Sequence, residues 1–396
     1  LDKKFTAIDL FSGAGGVSEA LKNLFEIKCA VEYDPIIAKT YELNHGNKHL
    51  IVEDIRNITK DLWLEKVALP KESLDLLIGT PPCQGFSKHS RKKSNNNFDG
   101  RNTLILEVLR VADIYFPKFI FFENVDNIVN YSIFHLFLKR LSNVDRFGFK
   151  KNLNRPSYHI RYEVVDASDY GVPQRRKRMI LIAKRIDSFP NTEAVIKHPR
   201  NGTPYVSNPL NLWPLKIKAE SLGKYLKSFN LAPLSAGEAD PTDPLHKCRN
   251  LSEINLKRIR NTKPNGGSRS DWPKELILDC HKQKNISFGD VYGRMNNLDY
   301  APTITCGCLA YSKGRFGHPT EDRAISIREA ALIQTFPKNY KFTGNLLGSV
   351  NEGSSENIAT QIGNAVPVQL AKAFLKAIHT ELRREYSALS IEALCL

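Results

Sequence analysis

Residues 5–24 read FTAIDLFSGAGGVSEALKNL, and this stretch decides the fold class. Phe5 to Phe11 is a strand-like run ending in Asp9-Leu10-Phe11. Ser12-Gly13-Ala14-Gly15-Gly16 then turns the chain into a helical stretch with Val17, Ala20, Leu21 and Leu24 on one face. Strand, glycine turn and helix open a nucleotide-type α/β fold. Glycines there let a ligand approach the backbone. Many helices simply begin at glycines, so the reading needs its neighbours. The next predicted strand, Ile27 to Val31, ends in Glu32, a carboxylate suited to ribose hydroxyls. Lys48 to Val52 reads as a third strand, followed by Asp54-Ile55. The turn lacks the full Gly-x-Gly-x-x-Gly spacing, so an adenosyl cofactor without a pyrophosphate fits it better than a dinucleotide. The predicted class is α/β, with a doubly wound, mostly parallel sheet.

The run Gly79-Thr-Pro-Pro-Cys83-Gln84-Gly-Phe-Ser87 follows the apolar segment Leu74 to Ile78. The prolines stiffen a turn just past the strand, which is where open α/β sheets place ligands. Most free cysteines act as small buried hydrophobes; the flanking prolines and the polar Gln84 and Ser87 favour a nucleophile. Lys88 to Arg101 is a basic, polar loop, read as a lid over phosphates. A helix is predicted over Asn102 to Phe116, ended by Pro117, and a strand over Phe119 to Phe122 ending in Glu123-Asn124-Val125. A right-handed strand–helix–strand unit puts the ends of both strands on one sheet edge, so Cys83 and Glu123 are expected to share a pocket. Two further strands, Ile160 to Val165 and Met179 to Ala183, bracket the basic run Gln174-Arg-Arg-Lys-Arg178.

The 396 residues suffice for two domains, and 41% hydrophobic content makes the chain globular. No apolar run approaches the ~20 residues of a membrane span, and no signal-peptide pattern opens the sequence. The net charge of +15 points to a polyanionic partner. Seven scattered cysteines argue for a reducing compartment rather than a disulfide framework. Cys306-Gly-Cys308 has no matching second pair, so no metal site is predicted.

On these residues the chain resembles the DNA cytosine-5 methyltransferases. Asp9 to Gly16 is similar to the motif holding the methionine part of S-adenosylmethionine. Glu32 resembles the ribose acid, and Asp54 with Ile55 the adenine contact. Pro82-Cys83-Gln84 matches the catalytic Pro-Cys motif, Glu123-Asn124-Val125 the cytosine-binding motif, and Gln174, Arg176 and Arg178 a Gln-x-Arg-x-Arg motif. Arg328-Glu-Ala-Ala331 and Gln361-Ile-Gly-Asn364-Ala-Val366-Pro367 match the last two. Glu53 departs from the glycine common before Asp54. The resemblance implies the S-adenosylmethionine-dependent methyltransferase sheet. It implies Cys83, Glu123, Arg176 and Arg178 as catalytic residues. The cofactor contacts would be Phe11, Gly13, Gly15, Gly16, Glu32, Asp54, Ile55, Pro82, Leu104, Asn364 and Val366, with Gln84, Ser87 and Gln174 facing substrate. The product would be S-adenosylhomocysteine. A covalent Cys83 adduct at carbon 6 of a flipped-out cytosine would carry the reaction.

Lys184 to Ile325 holds 22 Lys/Arg against 14 Asp/Glu and many Pro and Gly, and by position it corresponds to a target-recognition region. The expected organisation is a catalytic domain over 1–185, a recognition domain over 186–354, and a return segment over 355–396 that completes the first. Ser326 and Glu329 predict a capping box. The terminal helix is predicted from Pro367, with Leu370, Ala371, Phe374, Leu375 and Ile378 on its apolar face. The expected partner is double-stranded DNA. The chain is expected to be a monomer in the bacterial cytoplasm, at the nucleoid, with a cognate restriction endonuclease acting on the same site. A transfer-RNA cytosine-5 methyltransferase and a silent DNA-binding relative are the alternative readings.

Overall fold

The strand β1 (Phe5–Leu10) pairs in parallel with β2 (Phe25–Glu32) on one side and β4 (Leu76–Gly79) on the other, and β3 (Leu50–Val52) adds to β2. This is seen in a computed structural model that describes residues 4–82, 103–145, 150–186, 195–197, 204–206, 212–282, 289–347 and 353–394. β5 (Phe119–Val125) lies parallel to β4, and β7 (Lys177–Ile186) runs antiparallel between β5 and β6 (Ser157–Asp166). Among the described residues these make a seven-stranded sheet in the order β3-β2-β1-β4-β5-β7-β6. The strand order reverses between β1 and β4, the point on the C-terminal edge at which such sheets form a ligand-binding crevice.

Five helices follow the first strands: α1 (Gly16–Leu21), α2 (Pro35–His45), α3 (Lys60–Lys66), α4 (Leu104–Tyr115) and α5 (Ser132–Ser142). Strand side chains alternate between faces. Phe119 and Phe121 therefore join one apolar cluster with α1, while Ile120 and Phe122 join the other with α3, α4 and α5. Both faces of the sheet are covered, which explains why its central strands read as near-continuous apolar runs. α2 starts at Pro35 behind an Asp34 cap that accepts from the Ile36 and Ile37 amides, and α4 gives way to Phe116 at φ 49° before Pro117.

Past β7 the chain forms two hairpins, β8 (Val195–Lys197) with β9 (Pro204–Val206) and β10 (Ala239–Asp240) with β11 (Asp243–Lys247). It also forms α6 (Leu222–Lys227) and α7 (Glu253–Arg260). A separate small cluster contains Leu251, Ile259, Trp272, Leu276, Tyr311 and Ala324. Regular ladders are sparse there, and the buried Arg294 guanidinium does part of their job by donating to the carbonyls of Ile259, Thr262 and His318. α8 (Ile327–Ile333), α9 (Ser355–Asn364) and α10 (Val368–Leu394) return to the sheet. The Ser326–Glu329 capping box is present. Leu370, Ala371, Phe374, Leu375 and Ile378 are buried against β1, β5 and α1. No helix of the described residues is long and apolar enough to cross a membrane.

Most element boundaries differ from the sequence reading by one to three residues; β6 and β7, for example, run longer at both ends, over Ser157–Asp166 and Lys177–Ile186. β5 runs on to Val125, because its antiparallel ladder with β7 pairs Glu123 with Ile180 and Val125 with Arg178. α1 stops at Leu21, and Asn23 at φ 65° turns Leu24 back onto the same apolar cluster.

Candidate active site

The crevice begins with the turn between β1 and α1. Phe11, Gly13 and Gly15 all have positive φ, at 61°, 57° and 87°. The turn is pinned by the Ser12 amide on the Val31 carbonyl at 2.9 Å and by the Gly13 amide on Glu32 Oε2 at 2.9 Å. Among the described residues a Cβ at Gly13 would meet nothing nearer than 4.0 Å, which leaves open space over that residue among them. A Cβ at Gly16 would lie 2.9 Å from the Val366 carbonyl, so the return segment after α9 covers the base of the turn. Val366 is buried and Asn364 is exposed, its Oδ1 taking the Cys306 thiol at 3.3 Å.

Glu32 ends β2 beside this space. Its Oε1 accepts from the Asp34 amide at 2.8 Å, and burial pushes its carboxyl above the usual range despite the amides on it. Asp54 follows β3 and caps the short turn Ile55–Asn57. Its carboxylate is held low by hydrogen bonds from Arg56, and Ile55 is buried beneath. Leu104 opens α4 and is half-buried. An open cradle over positive-φ glycines, flanked by carboxylates at the ends of two strands, matches an adenosyl group with a charged amino-acid tail.

The second wall is built by β4, β5 and the start of β7. Thr80 Oγ1 donates to the Phe11 carbonyl at 3.2 Å, tying the end of β4 to the glycine turn. Asn124 Nδ2 donates to the Pro81 carbonyl at 3.0 Å, so the end of β5 holds the backbone that leads through the exposed Pro82. Sequence reasoning quoted Asn124 within a motif but gave it no role; its position directly after Glu123 was the available signal. Cys83, Gln84 and Ser87, together with the basic loop after them, lie outside the described residues.

Glu123 is buried with Arg178 Nε 3.0 Å from its Oε1. The carboxyl is nonetheless raised, because desolvation outweighs the guanidiniums of Arg178 and Arg176. Arg176 and Arg178 of the basic run part company here. Arg176 is buried, and its guanidinium donates to the carbonyls of Ile304, Gly363 and Ala365 at 2.9 to 3.1 Å, clasping the return segment. Gln174 also departs from the sequence reading, which faced it toward the substrate. It is fully buried; its Oε1 takes the Ile304 amide at 2.9 Å and its Nε2 donates to Gln334 Oε1 at 3.0 Å. A buried amide needs internal partners, and these two are supplied by the segments folded over it.

A carboxylate that the sequence reading placed in the first motif, with no role of its own, lies under the turn. Asp9 is fully buried, takes the Ser18 hydroxyl at 2.7 Å, and burial pushes its pKa up to about 7. Ser18 in turn shares a hydrogen bond with the Tyr41 hydroxyl at 3.0 Å.

The family described as C-5 cytosine-specific DNA methylase matches residues 5–380. Type II methylase M.HgiDII of Herpetosiphon aurantiacus is 34% identical over 374 residues, 94% of this chain and 94% of the relative. Type II methyltransferase M1.HphI of Haemophilus parahaemolyticus is 29% identical, over 94% of this chain and 86% of its own length. Among solved structures, a prophage-encoded E. coli protein described as a DNA modification methyltransferase superposes with a TM-score of 0.63 at 21% identity, covering 96% of this chain and 100% of that one; this likeness concerns the fold. With the family match spanning the glycine turn, both walls of the crevice and most of the return segment, the chain belongs to the C-5 cytosine-specific DNA methylase family and is a DNA cytosine-5 methyltransferase.

Proposed function

We propose that the chain methylates carbon 5 of a cytosine within one short sequence of double-stranded DNA, through a covalent adduct on Cys83, and protects host DNA from a cognate restriction endonuclease. The observation that carries the reading is Glu123, buried beside Arg178 and next to the Asn124 that grips Pro81. The methyl donor is S-adenosylmethionine, which supplies an electrophilic methyl on a sulfonium. The turn from Phe11 to Gly16 and the Glu32 carboxylate would hold it, with Asp54, Ile55, Pro82, Leu104, Asn364 and Val366 around it.

Carbon 5 of cytosine is a weak nucleophile. A thiolate from Cys83 adding to carbon 6 makes carbon 5 enamine-like and splits one hard step into easier ones. A free thiol has a pKa near ~8.5, so nearby positive charge favours the thiolate. Glu123 bonds the ring at N3 and the exocyclic amine, and its raised pKa supports delivery of a proton to N3 as electrons move into the ring. Arg178 orients Glu123 and contacts the cytosine O2. Because the Arg176 guanidinium is committed to backbone carbonyls, its assigned role is positioning. After methyl transfer a water or hydroxide takes the carbon 5 proton, and the electron pair left behind re-forms the ring double bond as the thiolate is expelled. The target base must leave the duplex stack for any of this, at a cost of a few kcal/mol.

Residues 1–185 with 355–396 are assigned to catalysis and 186–354 to target recognition. α8 supports one refinement, since Ile327, Ala330 and Ile333 belong to the apolar cluster of α1 and α10. The +8 of Lys184 to Ile325 supports phosphate contacts there. A monomer acting in the bacterial cytoplasm on nucleoid DNA is the proposed setting.

The test is bisulfite sequencing of plasmid DNA from a host lacking cytosine-5 methylation that expresses the chain or its Cys83→Ala variant. Protected cytosines in one repeated sequence, absent with the variant, are expected. Protection that persists with Cys83→Ala would remove the nucleophile. No protection with soluble, folded protein would shift the substrate to RNA or leave a silent DNA binder.

A further inference from the structure

The segment Tyr340 to Thr343 lies 300 residues from α2 in sequence yet is bound to it like a strap. Asn44 makes a two-point clasp, its Nδ2 donating to the Lys341 carbonyl at 2.8 Å and its Oδ1 accepting from the Lys341 amide at 3.0 Å. One turn earlier, Thr40 Oγ1 accepts from the Thr343 amide at 3.0 Å. Gln361 Nε2 donates to the Thr343 carbonyl at 2.7 Å and Arg328 Nη1 to the Tyr340 carbonyl at 3.2 Å. The strap's backbone polar groups are thus met by side chains rather than by a ladder.

One side chain of the strap reaches the glycine turn. The Tyr340 hydroxyl donates to the Ala14 carbonyl at 2.6 Å and lies 2.9 Å from His45 Nε2. A hydroxyl has a single proton. With that proton on Ala14, the oxygen accepts from His45, which fixes the ring with its proton on Nε2. Burial, with Lys22 adding to it, lowers the His45 pKa to about 3, so the ring is neutral and keeps this donor arrangement across the working pH range. The pair touches the turn directly: a Cβ on Gly15 would fall 2.5 Å from His45 Nε2 and 2.7 Å from the Tyr340 oxygen. Ala14 sits between two positive-φ glycines, so its carbonyl direction sets how the turn curves beneath the open space over Gly13.

We propose that Tyr340, backed by His45, is a positioning residue of the cofactor site: its hydroxyl holds the Ala14 carbonyl and so fixes the curvature of the turn that receives S-adenosylmethionine. The assignment rests on the cofactor reading above and adds to it a group from the far end of the chain. It also makes α2 and the strap one unit with the turn. A hydroxyl that only filled space would be replaceable by hydrogen, because the Tyr340 ring keeps its packing on Phe336 and Phe342.

The test compares Tyr340→Phe with Tyr311→Phe. Tyr311 is likewise buried and shares a hydrogen bond with Thr262 at 2.9 Å, but it belongs to the separate small cluster. Calorimetric titration of each protein with S-adenosylmethionine, thermal melting, and steady-state kinetics with DNA in excess are measured. Tyr340→Phe is expected to loosen the cofactor Kd and raise its KM about tenfold, with kcat at saturation within about twofold of the parent. Tyr311→Phe is expected to lower the melting temperature with an unchanged Kd. An unchanged Kd for Tyr340→Phe overturns the proposal, and so does an equal loosening by Tyr311→Phe. A parent chain that binds no S-adenosylmethionine overturns the cofactor reading and the proposal together.

Discussion

Two alanine substitutions two residues apart, Gly13→Ala and Gly15→Ala, are expected to fail in different ways. Both glycines sit at positive φ, 57° and 87°, where an L residue costs ~1–2 kcal/mol. At Gly13 that strain is the expected structural cost, since the new Cβ has nothing nearer than 4.0 Å among the described residues. At Gly15 the Cβ meets His45 Nε2 at 2.5 Å and the Tyr340 oxygen at 2.7 Å, and neither side chain has room to swing away. Relieving the collision breaks the His45–Tyr340 and Tyr340–Ala14 hydrogen bonds, each worth ~1 kcal/mol net, for a total with the backbone strain of ~3–4 kcal/mol. Urea unfolding measures the stability difference and calorimetric titration the cofactor affinity. Gly13→Ala should keep most of its stability and lose at least about tenfold in S-adenosylmethionine affinity, because its methyl occupies the open cradle. Gly15→Ala should lose both. Equal unfolding free energies for the two variants would refute the steric argument, and an undiminished affinity for Gly13→Ala would refute the assignment of the open space.

Four further variants have expected outcomes. Glu123→Gln keeps the shape but cannot deliver a proton, so kcat should fall ~10²–10³-fold with cofactor Kd unchanged, read by single-turnover methylation and titration; a variant with full kcat would remove Glu123 from the chemistry. Arg176→Lys loses most of three carbonyl hydrogen bonds and should cost ~2–3 kcal/mol of stability by urea unfolding. Arg178→Lys should mainly lower kcat, and the reverse pattern would exchange their roles. For Asp9, the folded state holds its proton up to about pH 7 against 3.8 in the unfolded chain. The folded form therefore binds more protons through this window, and its stability falls as pH rises from ~4 to ~7 by up to ~4 kcal/mol. Asp9→Asn should flatten that slope in pH-dependent unfolding; an identical slope would show that Asp9 does not titrate there.

The sequence by itself determined the sheet, the glycine turn and the edge at which the chemistry is gathered. Those signals are local. Apolar strands ending in Glu32 and Glu123, prolines stiffening the run after Gly79, and the Ser326–Glu329 capping box each act within a few residues, so they are legible without knowing what packs against what. Tertiary structure decided the partners of polar groups. Arg176 and Arg178 stand two residues apart in one basic run, yet one clasps three carbonyls of the segments folded over it and the other faces Glu123. Gln174 was read toward the substrate and lies buried between Ile304 and Gln334. Tyr340 reaches Ala14 across 326 residues of sequence. A hydrogen bond depends on which donor and acceptor the fold brings within 3 Å of each other, and no periodicity along the chain encodes that distance.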